Sequence, residues 1–284
     1  MRISVGDCRL FVDVEGLGLV PDGPTMRSRP VVLALHGGPG LDHTSFKPRF
    51  GTLADVAQIV YYDHRGQGRS DRSTPDRWNF DQWSDDIVAL CDALGIETPI
   101  IYGVSFGGMV ALHHATRHPG HAAGYVLDST AAFPDIEAML EVFERLGGDD
   151  ARDAAQSFWT DPTDAAMGRY WATCMPLYNR RTQPDAADTA ARSLEHGNFE
   201  LFQHWSLGEQ RTMDLRSSLD RVVDPVLLLA GEDDPVTPVA GARLIADALG
   251  PDRCRLEVFA DCGHGTVRDQ PDAAYAAIRS FIAP

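Results

Sequence analysis

Short apolar runs alternate along the chain with longer stretches in which apolar residues recur every third or fourth position. Ile3–Val5 and Arg9–Val14 alternate apolar and polar residues and predict two opening strands, paired as an edge hairpin. Val31–Leu35, Ala57–Tyr62, Ile100–Val104, Tyr125–Leu127, Val226–Ala230 and Arg255–Phe259 are mostly continuous apolar runs. Such runs suit strands buried on both faces of a parallel sheet. Between them, Asp81–Leu94 places Trp83, Ile87, Leu90, Cys91 and Leu94 at helical spacing, with Gly95 as the stop. Phe106–Arg117 is ended by Pro119, Pro238–Leu249 begins after Thr237 as N-cap, and Pro271–Ile282 closes the chain. Repeated β-α alternation predicts a doubly wound α/β sheet. The alternation breaks between about 133 and 218, where the pattern is helical and holds Trp159, Trp171 and Trp205. The expected organisation is a core over 1–132 and 219–284 interrupted by a helical cap over 133–218. Pro21–Pro30 and the acidic Gly147–Asp150 are expected to be loops.

Charge narrows the partners. Lys plus Arg is 25 and Asp plus Glu is 41, a formal net charge of -16 over 284 residues. That balance disfavours nucleic acid and anionic membrane surfaces. Lys47 is the sole lysine, so lysine chemistry has one candidate. The five cysteines have no metal or redox spacing and are expected as reduced thiols. No apolar segment is long enough to span a membrane, and the N-terminal segment has no secretory signal core, so a cytoplasmic protein is expected. His113, His114, His118 and His121 cluster near a helix end, without a third ligand to suggest a metal. Gly66-Gln67-Gly68 lacks the context of a nucleotide fingerprint. No cofactor and no metal are expected.

The chemistry concentrates at strand ends. Gly103-Val104-Ser105-Phe106-Gly107 follows a predicted strand and opens a predicted helix. That context suits a serine nucleophile on a tight turn, its hydroxyl projected into a cleft. Such a serine needs a histidine base and an acid that orients it. His264, after the last strand, is the candidate base. Asp234, in Gly231-Glu232-Asp233-Asp234-Pro235, is the preferred acid, with Asp233 its close rival and Glu232 and Asp128 further candidates. An oxyanion hole would draw on the Phe106 N–H and on the glycine-rich His36-Gly37-Gly38-Pro39-Gly40, with Gly38 the second donor. His36 is then expected to be structural.

Together HGGPG at 36–40, DHRGQGRS at 63–70, GVSFGG at 103–108, GEDDPVTP at 231–238 and CGH at 262–264 resemble the α/β-hydrolase superfamily. The pair of HGGPG and DHRGQGRS resembles its proline iminopeptidase subgroup. The resemblance implies a mostly parallel eight-stranded sheet flanked by helices, with a helical cap. It implies Ser105, Asp234 and His264 as a triad, Gly38 and Phe106 as oxyanion donors, and a structural turn at Asp63, Arg65 and Ser70. It further implies removal of an N-terminal residue from small peptides, with Glu195 holding the substrate amine. Val104 and Phe106 depart from the glycine and tryptophan usual around the subgroup's serine. An esterase or lactonase acting on a small metabolite is the alternative. Acyl transfer to peroxide and a non-catalytic small-molecule binder are lesser ones. Phe133, Trp159, Trp171, Tyr178, Phe199 and Trp205 are candidates to line the pocket, with packing inside the cap the expected role for most.

Overall fold

The computed structural model describes residues 1–283. Ten strands form in chain order: β1 Arg2–Val5, β2 Cys8–Glu15, β3 Leu19–Asp22, β4 Thr25–Ser28, β5 Val31–Leu35, β6 Gln58–Tyr62, β7 Ile100–Val104, β8 Gly124–Asp128, β9 Val226–Gly231 and β10 Cys254–Phe259. Eight of them build one sheet in the order β1-β2-β6-β5-β7-β8-β9-β10. The β1–β2 and β2–β6 pairs are antiparallel and the rest parallel. The expected mostly parallel eight-stranded sheet is therefore present.

β3 and β4 pair with each other, Asp22 opposite Thr25, across Gly23 and Pro24. This corrects the expectation of a loop over Pro21–Pro30. The hairpin is largely exposed, so no apolar alternation marks it in the sequence.

Alternate residues of the central strands feed two cores. Leu33, Leu35, Val60, Tyr62 and Leu228 face one side with Trp83, Val110 and Ile245. Val32, Ala34, Ile59, Tyr61 and Leu229 face the other with Phe50, Ile278 and Ile282. Burial on both faces explains why these strands have no polar alternation. The covering helices are α1 Phe80–Leu94, α2 Phe106–Arg117, and, after the insertion, α7 Val239–Leu249, α8 Thr266–Asp269 and α9 Pro271–Ile282. The insertion itself carries α3 Ile136–Thr160, α4 Asp164–Thr173, α5 Ala186–Glu195 and α6 Phe199–Leu207. The insertion has its own core around Phe143, Ala154, Phe158 and Tyr170.

Two local expectations change. Gly147–Asp150 is not an open loop but the kink between two helical halves of α3, with Gly148 in a non-helical conformation at φ 72°. Thr237 does not cap α7. Pro238 takes that position, and the Thr237 hydroxyl donates to Asp234 at 2.9 Å. No helix among the described residues is long and apolar enough to cross a membrane. The five cysteines are free and buried.

Parallel register aligns the strand ends. Leu35 lies opposite Gly103, Gly103 opposite Leu127, Asp128 opposite Leu229, and Gly231 opposite Phe259. The segments following β5, β7, β8, β9 and β10 therefore emerge at one edge. Strand order reverses at β5, which leaves a crevice there.

Candidate active site

Ser105 sits between β7 and α2 with φ 55° and ψ -121°, a conformation disfavoured for a residue with a Cβ. The turn holds it there. Its N–H donates to Asp128 O at 2.9 Å, and its carbonyl accepts Thr130 Oγ1 at 2.9 Å. Glycine is needed two residues later because α2 lies tight against β5: a Cβ on Gly107 would stand 2.2 Å from the Leu35 carbonyl oxygen. Phe106 is the first residue of α2, so its N–H has no acceptor within the helix.

Across the crevice, the 36–40 loop packs on this turn. A Cβ on Gly37 would lie 3.4 Å from Ser105 Cβ, and Gly38 adopts a φ of 132°. The Gly40 N–H donates to Gln67 Oε1 at 2.6 Å, tying the loop to the 63–70 turn. That turn is itself anchored. Asp63 accepts from the His43 backbone N–H at 2.9 Å and from the Arg69 N–H at 2.7 Å, and Arg65 clasps Asp86 with two bonds of 2.7 and 2.8 Å. Ser70 Oγ donates to Asp63 O at 2.6 Å. His36 accepts the His64 N–H on Nε2 at 3.2 Å and donates from Nδ1 to Gly37 O at 2.7 Å, so both ring nitrogens are engaged within the loop.

After β9 and β10 the chain brings Asp234 and His264 together. His264 Nδ1 lies 3.0 and 2.9 Å from the two Asp234 oxygens. Asp234 also accepts the Val236 and Thr237 N–H groups at 2.8 and 2.9 Å. Burial pushes its pKa up, but His264 and these N–H groups outweigh burial and hold it below the ordinary carboxylate value. An ionised Asp234 makes Nδ1 the protonated, donating nitrogen and leaves Nε2 as the free acceptor. The rival Asp233 instead pairs with Arg145 at 2.7 Å and Arg180 at 3.5 Å. Asp128 touches neither: it accepts from Tyr102 at 2.8 Å and from the Thr266 N–H at 3.0 Å.

Ser105, His264, Gly38 and Phe106 all line one cavity of about 730 Å³. The six aromatics Phe133, Trp159, Trp171, Tyr178, Phe199 and Trp205 line it too, rather than being confined to packing within the insertion. Glu195 is not among the lining residues. It ends α5 with its side chain 63% exposed, 4.0 Å from Arg69.

The model of the alpha/beta hydrolase fold family matches residues 30–270. The chain belongs to this family. RutD of Caulobacter sp. (strain K31), assigned by its name to carbamate hydrolysis, is 29% identical over 281 residues, 96% of this chain and 95% of that protein. The proline iminopeptidase PfmaB of Pestalotiopsis fici is 26% identical over 285 residues, covering 96% and 98%. Among solved structures, the proline iminopeptidase of Mycobacterium smegmatis superposes with a TM-score of 0.77 at 24% identity, covering 99% and 97%.

In this chain the His264 segment is held by contacts that no local pattern announces. The His264 N–H donates to Tyr178 O at 2.6 Å, and Asn179 Nδ2 donates to His264 O at 2.8 Å, both from the insertion. The Gly265 N–H donates to Ser129 Oγ at 2.8 Å. Asp269 accepts the N–H groups of Gly263, Arg180 and Arg181 at 2.8 to 3.0 Å. These pairs are separated by up to 136 residues. The histidines near the end of α2 are also engaged: His114 with Tyr125 OH and His118 with Asp85, each at 2.8 Å. The Asp, Glu, Lys and Arg residues that line the cavity are Arg49, Asp135 and Arg268.

Proposed function

We propose that the hydrolase is a cofactor-independent serine esterase or lactonase acting through an acyl-enzyme on a small, largely apolar metabolite. The observation that carries this is the pairing of both Asp234 oxygens with His264 Nδ1, in a cavity that Ser105 lines from its strained turn. Ser105 Oγ attacks the carbonyl as His264 Nε2 takes its proton, and Asp234 stabilises the imidazolium. The N–H groups of Phe106 and Gly38 receive the oxyanion, each worth on the order of 3 kcal/mol in the transition state. His264 returns the proton to the leaving group. It then deprotonates a water that attacks the acyl-enzyme, and the acid is released.

Ester or lactone is favoured over a peptide with a free amine by the position of Glu195. Its carboxylate is exposed and outside the cavity lining, which removes the proposed amine anchor. One observation supports the aminopeptidase as second reading: Asp135 does line the cavity. Its carboxylate already accepts the Ala138 N–H at 3.1 Å as the cap of α3.

A paired assay separates the two, with Ser105→Ala as control. Short-chain aryl esters should be cleaved, and alanyl or prolyl arylamides should not. Arylamide cleavage lost on N-acetylation would instead establish the aminopeptidase and point to Asp135. Turnover that survives in Ser105→Ala would sink the serine mechanism.

A further inference from the structure

Arg268 lies four residues after His264, in α8, and lines the cavity. Its stem folds over Gly265: Cδ and Nε lie 3.6 and 3.8 Å from where a Cβ on that glycine would stand. The side chain is thus held against the residue next to His264. Among the described residues no carboxylate lies within 4.0 Å of its guanidinium. The nearby acids are committed elsewhere, Asp128 to Tyr102 and Thr266, and Asp269 to three backbone N–H groups. The other arginine of the cavity, Arg49, is paired with Asp185. Tyr275 lines the cavity as well, and its hydroxyl is buried with no hydrogen-bond partner.

Arg268 is half-buried and lines the cavity with no carboxylate beside it, so its cation is available to a ligand there. Burial lowers the Arg268 pKa, and the neighbouring Arg49 lowers it further. Arginine nevertheless stays charged at any working pH. The cavity is otherwise mostly apolar, so this cation stands out as a recognition group.

We propose that Arg268 is a substrate-binding residue that holds a carboxylate carried by the ester or lactone. The inference rests on the hydrolase reading above and adds to it the chemical class of the substrate. The planar fork of arginine matches a carboxylate through two parallel N–H···O bonds. With Arg49 already paired, the local charge suits a monoanion better than a phosphate dianion.

The test compares straight-chain carboxylates of four to eight carbons with their primary amides, as competitive inhibitors of aryl acetate hydrolysis by the wild-type enzyme. Carboxylates should bind at least about tenfold more tightly than the matched amides, the usual margin for a charge-assisted pair. Arg268→Gln should erase that ratio, and Arg268→Lys should retain part of it. Calorimetric titration of Ser105→Ala with the same compounds gives the answer independently of turnover. Equal binding of acid and amide, or a ratio that survives Arg268→Gln, overturns the proposal. Should Arg268→Gln fail to fold, the wild-type ratio and the Arg268→Lys ratio still decide it. Absence of Ser105-dependent ester turnover, with carboxylate binding intact in the calorimeter, would overturn the hydrolase reading alone.

Discussion

Asp234 spends both of its oxygens on His264, Thr237 and Val236, while its neighbour Asp233 meets two arginines outside the cavity lining. One residue of register therefore separates an orienting acid from a salt-bridge partner. Asp234→Asn replaces an acceptor by an amide that cannot hold Nδ1–H and stabilise an imidazolium together. Ester kcat should fall on the order of 10³–10⁴-fold. Asp233→Asn should stay within about twofold, because partly exposed ion pairs contribute little. Equal losses in the two variants, measured on one aryl ester, would refute the assignment of Asp234.

At the scale of elements, the β7–turn–α2 unit sets the position of Ser105. The turn works only if α2 can approach β5, and that approach is what Gly107 permits. Gly107→Ala should cost up to about 3 kcal/mol of stability through overpacking. It should also lower activity, since α2 must retreat with the Phe106 N–H. Urea denaturation and ester kinetics on the same preparation test both. The helix could instead tolerate the methyl group by a small slide. In that case the midpoint would hold and the proposed rigidity of the turn would be wrong. α8 belongs to the same scale. Its four residues and the loop before it are tied to Asp128, Ser129 and Asp269, so His264 is fixed by bonds from several elements.

Across the whole molecule, the insertion is joined to the sheet layer by a bond from the Phe80 N–H, at the start of α1, to Glu209 Oε2 at 2.8 Å. Burial raises the Glu209 pKa to about 7, against which the Phe80 N–H acts in the opposite direction. A carboxyl whose folded pKa exceeds its unfolded value favours the folded state most below the unfolded value. That contribution is lost as pH rises through the folded pKa. The wild type should therefore lose stability relative to Glu209→Gln between about pH 4.5 and pH 7, since the amide does not titrate. Denaturation midpoints of both proteins at pH 5.5 and pH 8 test this, and parallel pH dependence in the two would disprove it. The general self-repulsion from the net charge of -16, which Glu209→Gln changes by a single charge, is nearly the same in both proteins and largely cancels in the comparison.

The eight core strands, four core helices and the helical character of the insertion are readable in the sequence, because burial on two faces or on one stripe imposes its period on neighbouring residues. So is the family, through five motifs at strand ends. The exposed β3–β4 hairpin leaves no such period, and the acidic Gly147–Asp150 marks a kink at Gly148 between two helical halves rather than an open loop. What only the tertiary structure decides is which groups meet. It selects Asp234 over Asp233 as the partner of His264, and it turns Glu195 outward. It lines the cavity with aromatics of the insertion and leaves Arg268 without a carboxylate beside Gly265. Periodicity is a local property of the chain. These meetings depend on contacts between residues as far as 138 positions apart, whose geometry is set by strand order and register.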